Sequence, residues 1–574
     1  MLSNAVVAGV FAAAYIALVF LQVNPHLPLD VAMLWPLLAI VVGFYAVNAT
    51  AIFYVAIVLR HLVVQRSFVP GWLSLRLLSW SSAASATAAA ALMWWNLQGL
   101  RTALEAEAAR RLGVGAVAMG LCATALLAIA VVHYSFGRRG SAVGVSLYVL
   151  AVMASVTLPL AARGAGQPRP LSAYPLDLSL RSAPGPGSAR VAMLLLDGAS
   201  LDYVTLATTA GRLPNFGRVL DAGAAMHLAT LSPTQPGPVW TTVATGQYPP
   251  RHGVISASTY LYGIGRPALS LLPDHCFAQA LVYLGFLDQA PASSVELRSR
   301  PLWSVLSAQG VAVGVVGWPL THPAQPVRGF LVSDQFHLTP DPGVARATYP
   351  PDIAAVGAAT IREVSRGRED SVRRPGEEGA LAPPAAAAPI WRDRVYGRIA
   401  DTLRRQFADV QFLAVRYRGL DLAGHRFFPA GTPIPFLGLA DTRGDQQSLE
   451  TYYQYVDVEV GAMLGRLRPN DLLLVVSGFG MEAVSVSKRV LAHLTGDPAA
   501  TGTHENAPDG FLLAYGAQVE PGRRPRGSVV DVAPTVLYFM GVPVARDSDG
   551  VVRTDIFTAS FSESHPIAFV PSHD

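Results

Sequence analysis

Long unbroken apolar stretches fill the first third of the chain, and short apolar runs between mixed segments fill the rest. Residues 5–23, 31–63, 74–96, 112–135 and 142–162 form five such stretches, each close to or above the ~20 residues that cross a hydrocarbon core as a helix. The pattern predicts a region of about five transmembrane helices over residues 1–163. The second stretch is long and contains Pro36, which predicts a kink, a tilt or an interfacial portion. The first has no basic leader and no small-residue cleavage site before Asn24 and Pro25, so it reads as a retained helix and not a signal peptide. No Asp, Glu or Lys falls within any stretch; that favours an anchor over a proton or ion path.

Beyond Gly164 the pattern changes. Residues 164–190 are rich in Pro, Gly and Ser, which marks a linker. A domain over 191–560 follows. It opens on Val191–Leu196, a wholly apolar run of the sort buried on both faces of a parallel sheet. Similar runs at 311–316, 410–415 and 472–476 are separated by helical patterns, so the class is α/β with a mostly parallel central sheet. Residues 365–390 are charged and then Ala/Pro-rich without periodicity, which predicts a disordered insertion. Residues 254–300 carry no legible motif.

Composition agrees with the division. Hydrophobic residues make up 51% and charged residues 14%, and the mean hydropathy is +0.36, so part of the chain belongs in lipid. Lys488 is the only lysine among many arginines, an Arg/Ala-rich usage expected of a GC-rich bacterial genome. The net charge of +4 is small and no arginine cluster is interleaved with aromatics, which argues against nucleic-acid partners. Cys122 and Cys276 stand far apart, excluding a disulfide framework and a thiolate zinc site. Arg60, Arg66 and Arg76 follow the second stretch and Arg138 and Arg139 the fourth, with no acidic residue in either loop. Those loops are expected on the cytoplasmic side of the cell (inner) membrane. Everything after Arg163 is then expected outside, periplasmic or extracellular.

In open parallel sheets, ligands bind at the carboxyl ends of the strands. Asp197 directly follows MLLL, Asp421 and His425 lie in RGLDLAGH just after QFLAV, and His504 lies in GTHENAPDG. An Asp and a His four apart with a remote His can give zinc three ligands and leave a fourth position open. Taken alone, an Asp after a strand is ordinarily a cap or turn residue.

The ordered blocks LLLDGASLD, LPNFGRVLDAGA, SPTQPGPVWTTVATGQYPPRHGV, RGLDLAGH, VVSGFGM, THENAPDGFLLAYG and VVDVAPTVLYFMGVP together resemble the type I phosphodiesterase and nucleotide pyrophosphatase branch of the alkaline phosphatase superfamily, across residues 190–545. Helices followed by an external domain also resemble, in layout only, bacterial phosphoethanolamine transferases and lipoteichoic acid synthases. The resemblance implies an alkaline-phosphatase-like fold and two divalent ions, usually zinc. One ion activates a Thr or Ser nucleophile and the other stabilises the leaving group.

Carried over by position, the first metal site is Asp421, His425 and His504. The second keeps Asp197, but Gly478 and Phe479 stand at its Asp and His positions, and Pro236 stands at the nucleophile position. Thr234, or Thr241 and Thr242, could substitute as nucleophile, although a turn or capping hydroxyl is the ordinary role. Asp274 and His275 form another candidate ligand pair; His252 is a family feature expected to be structural; Trp318 and Arg416 to Arg418 are candidates for the cleft wall. The resemblance therefore implies a membrane-anchored phosphodiesterase, phosphoric-ester hydrolase or phosphotransferase using one ion, zinc or alternatively manganese. Its substrate would be a phosphorylated small molecule or a lipid or envelope component. The opposing expectation is a degenerate relative that binds such a ligand, or a partner protein, without turnover.

Overall fold

The computed structural model describes residues 1–64, 73–136, 142–166, 189–263, 266–338, 341–372, 384–428, 446–485, 488 and 501–574. Most of the expected linker, together with Arg66, Arg138 and Arg139, lies outside these residues. The chain divides into two compact units, one of residues 1–170 with 258–291, the other of residues 171–257 with 292–574.

The first unit is built on five long helices: α1 (Leu2–Val23), α2 (Val31–Val64), α3 (Leu75–Leu100), α4 (Ala106–Ala128) and α5 (Ala142–Arg163). Four of them are long and apolar enough to cross a membrane. The exception is α3, whose 26 residues include Ser79, Ser81, Ser82, Ser85 and Thr87, so five helices form but one is less apolar than the others. The Arg163 guanidinium is buried and donates to the carbonyls of Leu21, Asn24 and Leu27, satisfying acceptors that the end of α1 leaves open.

Residues 258–291 belong to this unit, although the sequence places them inside the α/β domain. They are fastened by polar side chains of the helices. Asn24 accepts from the N–H groups of Ser270 and Leu271 and donates to the Leu271 carbonyl (2.9, 3.0 and 2.8 Å). Asn96 makes the same paired contact with the backbone of Asp274, and the Tyr45 hydroxyl donates to the Cys276 carbonyl. A shared apolar cluster joins Phe20, Leu37, Val41 and Tyr45 to Tyr262, Leu269, Cys276 and Leu281.

The second unit contains a ten-stranded sheet. Its centre is four parallel neighbours, Leu472–Ser477, Val191–Leu196, Phe412–Tyr417 and Val313–Val316, with Gly510–Tyr515 antiparallel beyond Leu472–Ser477. The Val191 strand is nearly all apolar and buried because helices cover both faces, giving one core cluster on each side. Parallel register sets Leu196 beside both Tyr417 and Ser477. Asp197, Arg418 and Gly478 thus leave the sheet at one edge, the carboxyl ends of its central strands. A cavity lined by Arg190, Val191, Gln411 and Asp471 sits at the opposite edge.

The expected insertion at 365–390 is helical at both ends. Helices Ala354–Val372 and Pro384–Gln406 run into it, and only 373–383 falls outside the described residues. The Ala-rich stretch that looks featureless in sequence is the start of a helix, as its high helix propensity permits.

Candidate metal centre

The strand Phe412–Tyr417 runs directly into the helix Gly419–Phe427. The turn between them is fixed by Asp393, whose carboxylate accepts from the Arg418 N–H (3.1 Å), the Gly419 N–H (2.8 Å) and the Tyr452 hydroxyl. These N–H groups would otherwise be open at a helix start. Burial pushes the Asp393 carboxyl up to about 7, against the lowering effect of those two backbone donors.

Asp421 and His425 are one turn apart on this helix and so share a face. His425 Nδ1–H donates to the Gly502 carbonyl (2.8 Å), and His504 Nδ1–H donates to the Thr234 carbonyl (3.2 Å). Carbonyls only accept, so each imidazole keeps its proton on Nδ1 and presents Nε2. Both Nε2 atoms face one oxygen, Asp421 Oδ1, at 3.4 and 3.5 Å. Those separations are longer than ordinary hydrogen bonds, and Asp421 Oδ1 is buried without a hydrogen-bond partner.

The dimensions suit an ion. Zinc–nitrogen and zinc–oxygen bonds of about 2.0–2.2 Å in a tetrahedron separate neighbouring ligand atoms by roughly 3.3–3.6 Å. The His425 and His504 Nδ1 contacts are the outer hydrogen bonds that orient metal-binding imidazoles. Burial alone would raise the Asp421 carboxyl, but His425, His504 and Arg418 more than offset it and leave it below its usual range. Arg418, half-exposed, stands 3.8 Å from the other Asp421 oxygen. Among the described residues this trio is the one metal-competent group of His, Cys, Asp and Glu.

Asp197, expected as a ligand of the second site, has partners within the chain. Its fully buried carboxylate accepts from Arg416 Nε (2.9 Å), Arg416 Nη2 and Trp240 Nε1 (2.7 Å). Both oxygens are engaged by a guanidinium, and among the described residues no group of three His, Cys, Asp or Glu ligands includes Asp197. Burial works against the Arg416 charge, and Asp197 more than restores it. Apolar and aromatic side chains pack around Gly478 and Phe479. Phe479 is buried with its ring centroid 5.1 Å from that of His504, and a Cβ on Gly478 would meet Val239 Cγ1 at 2.6 Å.

Most of the other candidates have hydrogen-bond or packing partners within the fold. The Thr234 hydroxyl is buried and donates to the Leu231 carbonyl (2.7 Å). Pro236 begins the helix Pro236–Thr245, where the missing N–H costs nothing. Thr241 and Thr242 bond back to carbonyls of that helix, and Thr242 also meets His252 Nε2 (3.1 Å). Burial takes the His252 imidazole down to about 3. Trp318 is core rather than cleft wall, its Nε1–H donating to the Trp240 carbonyl. Asp274 and His275 are held by the helical unit, His275 lying edge-on to Trp95, and neither joins the trio. The sequence reading missed Asp393 and Trp240; Trp240 sat inside a matched block, whereas Asp393 gave no local signal.

With the fold and this geometry established, comparison defines the class. A family model described as type I phosphodiesterase / nucleotide pyrophosphatase matches residues 191–508. More than half of the chain is covered, and the protein belongs to that family. Two solved structures are similar, murine and human ectonucleotide pyrophosphatase / phosphodiesterase 5, the murine one an inactive form in complex with AMP. Each is 13% identical with a TM-score of 0.40, covering 65% and 64% of this chain and 100% of its own. At that score they add nothing to the family match. No curated protein matches.

Proposed function

We propose that this protein is a membrane-anchored phosphodiesterase that works with one divalent ion, zinc in the first instance and manganese as the alternative. The observation that carries this reading is the orphaned Asp421 Oδ1 facing two Nε2 atoms at 3.4 and 3.5 Å. Asp421, His425 and His504 would hold the ion and leave a position for water or a phosphoryl oxygen. A zinc ion in such a site lowers the pKa of bound water to about 7 and polarises phosphorus–oxygen bonds.

The chain's own groups divide the remaining work. Asp393 holds the start of the helix that carries Asp421 and His425. Arg418 offers a half-exposed guanidinium to a phosphoryl oxygen beside Asp421, and Arg416 fixes a positive charge where relatives place a second ion. Pro236 has no nucleophilic atom and the Thr234 hydroxyl is committed, so water is the attacking group and no ester to the chain forms. One ion with fixed guanidinium charge suits a singly charged diester better than a dianionic monoester. The helices α1 to α5, the less apolar α3 crossing with the other four, anchor the chain in the cell membrane, and, with the arginine-rich loops inside, these five crossings put the phosphodiesterase domain outside the cytoplasm.

A degenerate, binding-only protein is the competing reading, favoured by the packed Phe479 and the engaged Asp197. Metal analysis and turnover separate the two. The purified chain is expected to hold one zinc and to hydrolyse bis(p-nitrophenyl) phosphate, with His425→Ala losing both. An ion retained without turnover of this or any nucleotide diester would favour the binding-only reading; no ion at all would sink the single-metal enzyme.

A further inference from the structure

Residues 276–287, CFAQALVYLGFL, carry no charge and only Gln279 as a strongly polar side chain. One side of this segment is accounted for, because Cys276, Ala278, Leu281 and Leu287 pack into the cluster with Phe20 and Tyr45. The other side is equally apolar and largely uncovered: Phe277 is 76% exposed, Tyr283 86% and Leu284 57%, while Phe286 is 48% exposed with its ring 6.0 Å from that of Phe44. A short segment that is apolar all round needs a second apolar neighbour. Phe277 also holds a left-handed φ of 58°, a conformation that costs an aromatic residue free energy and turns its ring outward.

Two further observations identify that neighbour. First, six of its N–H groups are satisfied from within. The N–H groups of Ala280, Leu281, Leu284, Gly285, Phe286 and Leu287 all donate to carbonyls of residues 277–282, as a segment entering an apolar medium requires. Second, the helices locate its depth. Phe20 of α1 lies beside Tyr45 of α2, Tyr45 holds the Cys276 carbonyl, and Asn96 of α3 holds Asp274. From Tyr45 and Asn96 to the far ends of their helices, α2 and α3 run about 20 and 22 residues, or roughly 30–33 Å at 1.5 Å per residue. That length matches the ~30 Å hydrocarbon core. The half-exposed Trp94 and Trp95 occupy the same level on α3, where an aromatic belt belongs.

We propose that residues 276–287 form a wedge seated in the bilayer leaflet on the phosphodiesterase side, with Phe277, Tyr283, Leu284 and Phe286 against lipid acyl chains. The segment interrupts the phosphodiesterase sequence yet packs on the helices, so this surface is a second membrane contact added to the helical anchor. The proposal rests on the membrane reading given above, and its test separates the two.

The full-length wild-type chain is reconstituted in phosphatidylethanolamine/phosphatidylglycerol vesicles containing a phospholipid with a diazirine on its acyl chain, illuminated, and its lipid adducts are mapped by peptide mass spectrometry. Adducts are expected on residues 276–287 and on 46–64 of α2, and not on the exposed Leu338. Adducts on 46–64 with none on 276–287 overturn the wedge and leave the anchor standing, whereas their absence from both overturns both. A benzophenone at position 283 that crosslinks to a second chain in place of lipid assigns the patch to a copy of this protein and also overturns the proposal.

Discussion

Two carboxylates leave the same edge of the sheet and meet opposite fates. Asp421 is buried with an oxygen that no donor satisfies and with two bare imidazole nitrogens facing it. Asp197 is buried with both oxygens held by Arg416 and Trp240. The cost of burying a charge has to be met in each case. A guanidinium built into the chain does so at Asp197, while at Asp421 the imidazoles leave room for an ion from outside. At Asp197 the cost is met from within the chain, because Arg416 supplies the positive charge.

The sharpest way to break this contrast is to remove Arg416. Arg416→Ala is expected to destabilise the domain by about 3–5 kcal/mol, as for a buried charge left alone, with zinc binding at Asp421, His425 and His504 retained in the molecules that fold. Replacing both partners, Asp197→Leu with Arg416→Met, is expected to cost clearly less than Arg416→Ala in the same denaturant titration. Equal losses would mean that the pair is not the unit described here.

A smaller effect is expected at Asp393, whose carboxyl is pushed up to about 7 by burial. A folded-state value above the unfolded one means the contribution is fully present below pH ~4 and is lost as pH rises through 7. Asp393→Asn is expected to remove roughly 2–4 kcal/mol of that decline between pH 4 and 8, read from unfolding midpoints across pH. An unchanged slope would show that Asp393 does not titrate in this window.

The smallest effect is expected at Thr234. Loss of its hydroxyl bond to Leu231 in Thr234→Ala should cost about 1 kcal/mol of stability and leave diester turnover nearly unchanged. Abolished turnover in a stably folded variant would restore Thr234 as the nucleophile and remove water from that role.

The sequence exposes what depends on local pattern and hides what depends on register. The run Val191–Leu196 and the spacing of Asp421 and His425 are legible because strand burial and one helical turn have fixed periods. The pairing of Asp197 with Arg416 is not, since it arises from two strands 219 residues apart lying side by side in parallel register. Arg416 reads in sequence as one of three candidates for the cleft wall. Residues 258–291 were misplaced for a related reason. Chain order puts them inside the α/β domain, and long-range contacts such as the paired amide bonds of Asn24 and Asn96 show that they fold with the helices.

The Arg416–Asp197 pair has a consequence for supply. A bound ion exchanges with its surroundings and is lost to chelators or to scarcity, whereas a guanidinium is installed at translation and stays protonated across the physiological pH range. The positive charge beside Asp197 is thus inherited with the polypeptide and needs no loading event after synthesis.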